Sequence, residues 1–268
     1  MSVVSLDKPG GDIASGRDKR HKKVPALYET DASKYAGPQR WQVRWWAKQV
    51  RALWHQRTYT RWVEQACESI EVVGLEHLEG LPDGCVFVAN HQSHLDTLVL
   101  HEVLPKSIRR KLFYGAAQDR WFVKGRKKLA LQPWYQSLAL GNFPILRGGG
   151  LQALSYAHWL LARKQHVFLF PEGTRATGDS LGEFKHGASI LALDNNAPIV
   201  PVYLSGLQQI RPKGQREVRK GRVKVEFLAP VTFSSGSNVE AATECIRRRM
   251  NRLHVRDAQA RTSFPRAA

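Results

Sequence analysis

The sequence predicts an α/β fold: a mixed, mostly parallel sheet flanked by helices, preceded by an amphipathic N-terminal helical segment. Three observations carry that expectation. From about Ile70 onward, apolar runs of strand length alternate with longer segments whose apolar residues recur at helical spacing. The runs are apolar along their length, as strands covered on both faces are. At 268 residues, 43% hydrophobic and 24% charged, the chain can bury a full core without disulfides or a structural metal, which excludes a wholly disordered protein. Cys67, Cys85 and Cys245 lie far apart with no Cys-x-x-Cys, which excludes a disulfide framework or a zinc ribbon and suits a reducing compartment.

Residues 1–38 are rich in Gly, Asp, Lys and Ser and end at Gly37-Pro38, the composition of a disordered basic tail. Its run Arg17-Asp18-Lys19-Arg20-His21-Lys22-Lys23 is either a solvated charge run or a dock for anionic lipid. Residues 39–68 differ sharply. They hold five of the eight tryptophans: Trp41, Trp45, Trp46, Trp54 and Trp62. Stepping 100° per residue places Val43, Trp46, Ala47, Val50, Leu53 and Trp54 on one arc. Arg40, Arg44, Lys48, Arg51 and His55 fall on the neighbouring arc, with Trp41 and Trp45 at the boundary. Indoles beside a basic stripe suit a helix lying in a membrane interface, its rings at headgroup level and its cations toward phosphates. The alternative is a helix packed on its own domain, and both hold if they use different faces.

Strands are expected at residues 70–73, 85–89, 112–115, 167–170, 199–204 and 223–228. Helices are expected at 95–104, 151–164, 185–194 and 239–253, the second carrying the core-facing stripe Leu151, Leu154, Ala157, Leu160 and Leu161. Gly206 to Arg222 is a basic loop or hairpin, and residues 255–268 form a C-terminal tail. Neither a signal peptide nor a membrane span is expected. The longest uncharged stretch, residues 129–146, is broken by Gln132, Pro133, Gln136, Asn142 and Pro144, whereas a span needs about 20 apolar residues.

Lys and Arg number 41 against 23 Asp and Glu, a formal charge of +18. Such a field favours a polyanionic partner: nucleic acid, an anionic membrane or an acidic carrier. The tryptophans weaken the nucleic-acid reading, since an RNA-binding helix needs the cations but not so many bulky rings.

Three segments could carry chemistry. In Asn90-His91-Gln92-Ser93-His94-Leu95-Asp96 an apolar strand runs into polar residues and then a helix, and strand carboxyl ends are where open α/β sheets bind ligands. If His91 meets Asp96, the carboxylate fixes the imidazole tautomer and the other ring nitrogen can take a proton from a hydroxyl. Two other readings stand beside this one: Ser93-x-x-Asp96 as a helix capping box, or His91, His94 and Asp96 as metal ligands. Phe170-Pro171-Glu172-Gly173-Thr174-Arg175 again ends a strand in polar residues, with a glycine for close approach and donors suited to phosphate. Gly141-Asn142-Phe143-Pro144-Ile145-Leu146-Arg147 precedes three glycines and a helix, where Arg147 could hold an anion. No P-loop and no Gly-x-Ser-x-Gly elbow is present.

In order and spacing these segments resemble the glycerolipid acyltransferases, specifically the 1-acyl-glycerol-3-phosphate (lysophosphatidic acid) acyltransferase family. His91-x4-Asp96 in its Asn-His-x-Ser-x-x-Asp setting is similar to that family's first block, Gly141 to Arg147 to its second, and Phe170 to Arg175 to its third. Phe184-Lys185-His186-Gly187 and Val200-Pro201-Val202 resemble the approach to the fourth. The resemblance covers about Val72 to Pro230 and implies a glycerol-3-phosphate acyltransferase-like domain over residues 69–254. It implies acyl transfer from acyl-CoA or acyl carrier protein to a lysophospholipid hydroxyl, giving phosphatidic acid from lysophosphatidic acid.

In that reading His91 is the general base and Asp96 its orienter. Gly141, Phe143, Arg147, Glu172, Gly173, Thr174 and Arg175 are the substrate-binding residues, with Glu172 carrying no assigned chemical role. No cofactor, metal or nucleic acid is implied. The expected partners are membrane phospholipids and the acyl donor, and the expected place is the cytoplasmic face of a membrane, held peripherally by the N-terminal helix. The sequence departs from the family pattern at Pro144 and Leu146, and at Gly115-Ala116-Ala117-Gln118-Asp119-Arg120-Trp121-Phe122, where a Lys-Glu-Leu-like segment is usual. A different lipid hydroxyl acceptor, hydrolysis with water as acceptor, or a non-catalytic basic membrane- or nucleic-acid-binding module are the competing readings.

Overall fold

Nine strands among the described residues enter one sheet: β1 (Ser2–Val4), β2 (Cys67–Val73), β3 (Val86–Ala89), β4 (Leu112–Ala117), β5 (Asn142–Ile145), β6 (His166–Leu169), β7 (Ile199–Ser205), β8 (Gly221–Phe227) and β9 (Val231–Phe233). The helices are α1 (Trp45–Ala66), α2 (Asp96–Val103), α3 (Lys106–Arg109), α4 (Gln118–Trp121), α5 (Pro133–Leu138), α6 (Ser155–Leu161), α7 (Gly187–Asn195), α8 (Leu207–Ile210) and α9 (Val239–Ser263). The computed structural model describes residues 2–4, 37–122, 132–175, 180–212, 214–215, 217–234 and 236–263. Most of the basic tail, the lysines and arginine at 124–128, and residues 213, 216 and 264–268 lie outside them.

The sheet runs β1-β9-β7-β3-β6-β4-β5, and β8 lies antiparallel on β7 while pairing in parallel with β2. From β7 to β5 every pairing is parallel. Alternate residues serve opposite faces. Phe87, Ala89, Leu112, Tyr114, Phe168 and Val202 pack under α2 and the end of α1, with Val63, Ala66, Val99 and Leu100. Val86, Val88, Phe113, Phe143, Val167 and Leu169 pack against Tyr156, Leu160, Leu191, Ile246 and Met250 of α6, α7 and α9.

All six expected strands are present, with shifted ends. β5 falls where no strand was expected, and it contains Pro144, which has no N–H to give a ladder. It lies at the sheet edge, pairing only with β4, where a missing N–H costs no ladder bond. The segment read as an anion-holding loop is thus largely an edge strand. A short strand, β1, stands within the tail expected to be unstructured, and α9 runs past Leu253 to Ser263, taking in residues expected as tail.

Helix α1 corrects the expected division of faces. Its buried side is Ala47, Arg51, His55, Val63 and Ala66, so Arg51 and His55 of the expected basic stripe point inward. Trp45, Trp46, Val50, Leu53 and Trp62 are exposed, Trp45 to 75%. The Arg51 guanidinium is satisfied without a carboxylate. It donates to the carbonyl oxygens of Leu138, Gln42 and Ser137 and sits 4.6 Å from the centroid of the Phe113 ring. Gln42, fully buried, donates to the same Ser137 carbonyl and to that of Asn142, and accepts from Tyr156 Oη at 2.6 Å. Burial draws Arg51 down to about 10, which leaves it charged at neutral pH.

Below Arg51, the His55 ring meets His101 edge-on, Nδ1 against Nε2, and His101 Nδ1 lies 3.1 Å from Tyr114 Oη. Burial holds His55 at about 3 and His101 lower still. Burial also holds His166, bonded through Nδ1 to the Cys85 N–H, at about 4. These rings fold neutral, with pKa values below the ordinary 6.5. The stability they allow is therefore full above about pH 6.5 and is lost as pH falls toward 4, at about 1.4 kcal/mol per pH unit for each ring the unfolded chain protonates. The thermal midpoint is expected to drop steeply between pH 6.5 and 4, and His166→Gln to make that drop shallower. Equal slopes for the two proteins would contradict this account.

Candidate active site

Because β3, β4, β5, β6 and β7 are parallel, their carboxyl ends open on one edge, and the loops leaving them carry nearly every residue singled out by sequence. The β3 ladder with β7 stops at Ala89, and Asn90 prolongs it with its side chain: Nδ2 donates to the Leu204 carbonyl and Oδ1 accepts from the Leu204 N–H, both at 2.8 Å. The chain then turns into α2.

Asp96, fully buried in the first turn of α2, reaches back over that turn. It accepts the N–H of Gln92 at 2.7 Å and of Ser93 at 2.9 Å, and its Oδ2 lies 2.7 Å from His91 Nδ1. The dyad carboxylate thus makes the half of the capping box that receives the Ser93 N–H, while Ser93 Oγ donates to the Arg211 carbonyl instead of completing the box. The His91 ring stacks on Phe170, centroids 3.9 Å apart and planes 16° from parallel. Its Nε2 has no hydrogen-bond partner among the described residues and is the nitrogen able to accept a proton. Among the described residues no group of three or more His, Cys, Asp or Glu side chains is placed to hold a metal ion.

Glu172 serves as a clamp. Its Oε1 accepts the His91 N–H at 2.8 Å and its Oε2 the Gly182 N–H at 3.1 Å, tying the loop after β6 to the turn after β3. Burial raises its pKa, against the pull of those two amides. The backbone function explains why no chemical role was legible. Glu172→Gln replaces one acceptor with a donor facing an N–H, so a loss of about 1–3 kcal/mol in denaturant-measured stability is expected. An unchanged midpoint would show that the clamp carries no weight.

Gly173, at φ +66°, takes a conformation that L side chains rarely adopt, and any Cβ there would meet Lys185 Nζ at 3.0 Å. Gly173 and Thr174 are exposed and Arg175 is half-buried, its field shared with Asp96, Arg120 and Arg211. The remaining predicted residues part company. Arg147 reaches the same edge, but Asp119 engages it side-on, with Nε to Oδ1 at 3.0 Å and Nη2 to Oδ2. Phe143 does not line the edge; its ring is fully buried against Tyr156. Gly141, at φ +68°, lets the backbone pass Arg51, whose Nε would lie 3.0 Å from a Cβ. Sequence reading missed Asn90, Phe170 and Arg51 as shapers of the site. Asn90 and Phe170 stood inside the quoted motifs with no role assigned.

The model of the acyltransferase family matches residues 69–205, half of the chain, with His91, Asp96 and Glu172 to Arg175 inside it. The chain is 31% identical over 165 residues to the chloroplastic 1-acyl-sn-glycerol-3-phosphate acyltransferase BAT2 of Brassica napus, covering 60% of this chain and 44% of that one. It is 33% identical over 168 residues to 1-acyl-sn-glycerol-3-phosphate acyltransferase alpha of Ovis aries, covering 60% and 54%. The chain thus spans about half the length of these relatives. Among solved structures, that of the 1-acyl-sn-glycerophosphate acyltransferase PlsC of Thermotoga maritima shares the fold, with a TM-score of 0.56, 23% identity, and coverage of 77% of this chain and 79% of that one. A parallel sheet whose loops converge on the His91–Asp96 pair, over the span the family model matches, places this chain in the acyltransferase family.

Proposed function

We propose that the protein transfers a fatty acyl group from an acyl thioester, acyl-CoA or acyl carrier protein, to the hydroxyl of a lysophospholipid, with 1-acyl-glycerol-3-phosphate as acceptor and phosphatidic acid as product. The observation that carries this reading is the His91–Asp96 pair: a carboxylate on Nδ1 and an open Nε2. The acceptor hydroxyl gives its proton to Nε2 as its oxygen attacks the thioester carbonyl. The imidazolium is stabilised by Asp96. Collapse of the tetrahedral adduct forms the oxygen ester and breaks the carbon–sulfur bond, and the thiolate takes the proton back from His91. Gly173, Thr174 and Arg175 hold the acceptor phosphate, and Arg147 joins them on leaving Asp119.

The acceptor's tail lies in lipid, and the exposed indoles of α1 give the protein a way to stay there. No described helix is long and apolar enough to cross a membrane. Trp45, Trp46, Val50 and Leu53 lie on one side, with exposed Arg44, Arg57 and Arg61 along the helix, which supports peripheral attachment at the cytoplasmic face. The test is acyl transfer in mixed micelles, with labelled palmitoyl-CoA and a panel of lysolipids. A labelled two-chain product from the phosphate-headed lysolipid supports the reading. Labelled free fatty acid alone would replace it with a hydrolase, and a product confined to another lysolipid would change the acceptor.

A further inference from the structure

The turn that follows β6 grips His91 at two points. Its ends are joined by the Gly173 N–H, which donates to the Phe170 carbonyl at 3.0 Å over Pro171 and Glu172. Pro171 is buried, its ring fixes one backbone angle of the turn, and its carbonyl accepts the Lys185 N–H at 2.9 Å. From this one turn the Glu172 carboxylate reaches the His91 N–H, and the Phe170 ring lies flat on the His91 imidazole. Phe170 is itself braced. Phe168, two residues back on the same face, is fully buried and meets it edge-on at 4.9 Å, and Tyr114 lies 5.4 Å beyond Phe168.

The Glu172 bond and the Asp96 carboxylate already fix where His91 sits. What the stacked ring adds depends on charge. A neutral imidazole at 3.9 Å gains dispersion from a benzene face. An imidazolium in the same place also gains the attraction of a cation for the negative face of the ring. A general base is neutral before the proton moves and charged afterwards, so this contact is stronger in the transition state than in the ground state. Phe170 is half-buried and the His91 side chain largely shielded, which limits the screening of that attraction by water.

We propose that the Phe170 ring is a charge-stabilising platform for His91, holding the imidazole plane from one face and binding the imidazolium more tightly than the neutral ring. The inference rests on the acyltransferase reading and deepens it. It gives the first residue of the Phe170 to Arg175 segment a part in proton transfer, and because Phe170 acts through His91 it is a positioning residue.

The experiment is steady-state acyl transfer by the full chain with mono-, di- or trifluorophenylalanine at position 170, analogues that keep the ring's shape and drain its face of negative charge. The kcat is expected to fall with each fluorine, to roughly 3–30-fold below wild type in the trifluoro protein, with KM for donor and acceptor within about twofold. Phe170→Leu should fall at least as far, and Phe170→Trp, which keeps an aromatic face, should retain more than Phe170→Leu does. Equal kcat across the fluorinated series would overturn the proposal even with Phe170→Leu impaired, since the ring would then only fill space. A change confined to KM would overturn it by setting the ring against substrate.

A second measurement needs no turnover. Phe170→Leu, His91→Ala and the double variant form a cycle with wild type, read by denaturant unfolding. Asp96, His94 and Glu172, whose charges reach His91, are present in all four proteins and cancel. The coupling between the two residues is expected to be about 2–5-fold larger in the unfolding equilibrium constant at pH 5 than at pH 8, because only the charged ring gains the extra attraction. Equal coupling at both would overturn the proposal. If the wild-type protein transfers to no lysolipid while the coupling keeps its pH dependence, the acyltransferase reading fails and the platform stands.

Discussion

His91→Ala lowers the rate of acyl transfer by about 10²–10⁴-fold, the usual contribution of a positioned general base, while leaving the thermal midpoint within a degree or two of wild type. The two halves of this expectation come from different atoms. The proton-accepting Nε2 has no protein partner among the described residues, and the His91 side chain is 18% exposed, so truncating it leaves no buried cavity. The backbone N–H that Glu172 holds survives the substitution. Asp96→Asn provides the contrast. Its carboxylate receives the Gln92 and Ser93 amides as well as His91 Nδ1, so an amide group there turns a donor on a donor. That variant is expected to lose activity and stability together, the latter by about 1–3 kcal/mol. Transfer by His91→Ala at more than a tenth of the wild-type rate would remove the imidazole from the reaction.

Arg51→Ala is the substitution with the largest expected effect on stability, about 3–5 kcal/mol. It empties a fully enclosed site, removes the contact with the Phe113 ring and leaves the Leu138, Ser137 and Gln42 carbonyls short of a donor. At roughly 2–4 °C per kcal/mol for a domain of this size, the midpoint should fall by roughly 6–20 °C. Arg51→Lys keeps the charge but not the planar fork, and should recover only part of the loss. A drop below about 3 °C for Arg51→Ala would mean that α1 is held chiefly by Val63 and Ala66.

Arg51 also marks a boundary of what the sequence discloses. On a helical wheel it falls with Arg40, Arg44 and Lys48, and a cation in such a row ordinarily belongs to solvent. Nothing local reports that three carbonyls from α5 and the turn before α1 wait for it, since those acceptors are backbone atoms and have no sequence identity. The strands, by contrast, were legible because their burial is written in consecutive side chains, as in Val86-Phe87-Val88-Ala89. The His91–Asp96 pair was legible because both partners lie within seven residues of one strand end. The neighbourhood of Arg120, Arg175 and Arg211 was not, because it is assembled from three loops and only the parallel order of β4, β6 and β7 brings them together. Glu172 and Phe143 stood inside recognised motifs, yet each motif mixes residues that face substrate with residues that hold the frame, and only burial and bonding separate them.

The pairing of β2 with β8 has a consequence for synthesis. β2 follows α1 directly, but the strand that completes its hydrogen bonds is made roughly 150 residues later. At about 5–20 residues per second, a ribosome needs roughly 8–30 s to cover that distance. Throughout that interval the nascent chain carries the tryptophans of α1 with no finished sheet edge behind them. The helix is thus made long before the sheet edge it leads into is complete, and a chain released before Gly221 lacks the strand that closes β2 onto the sheet.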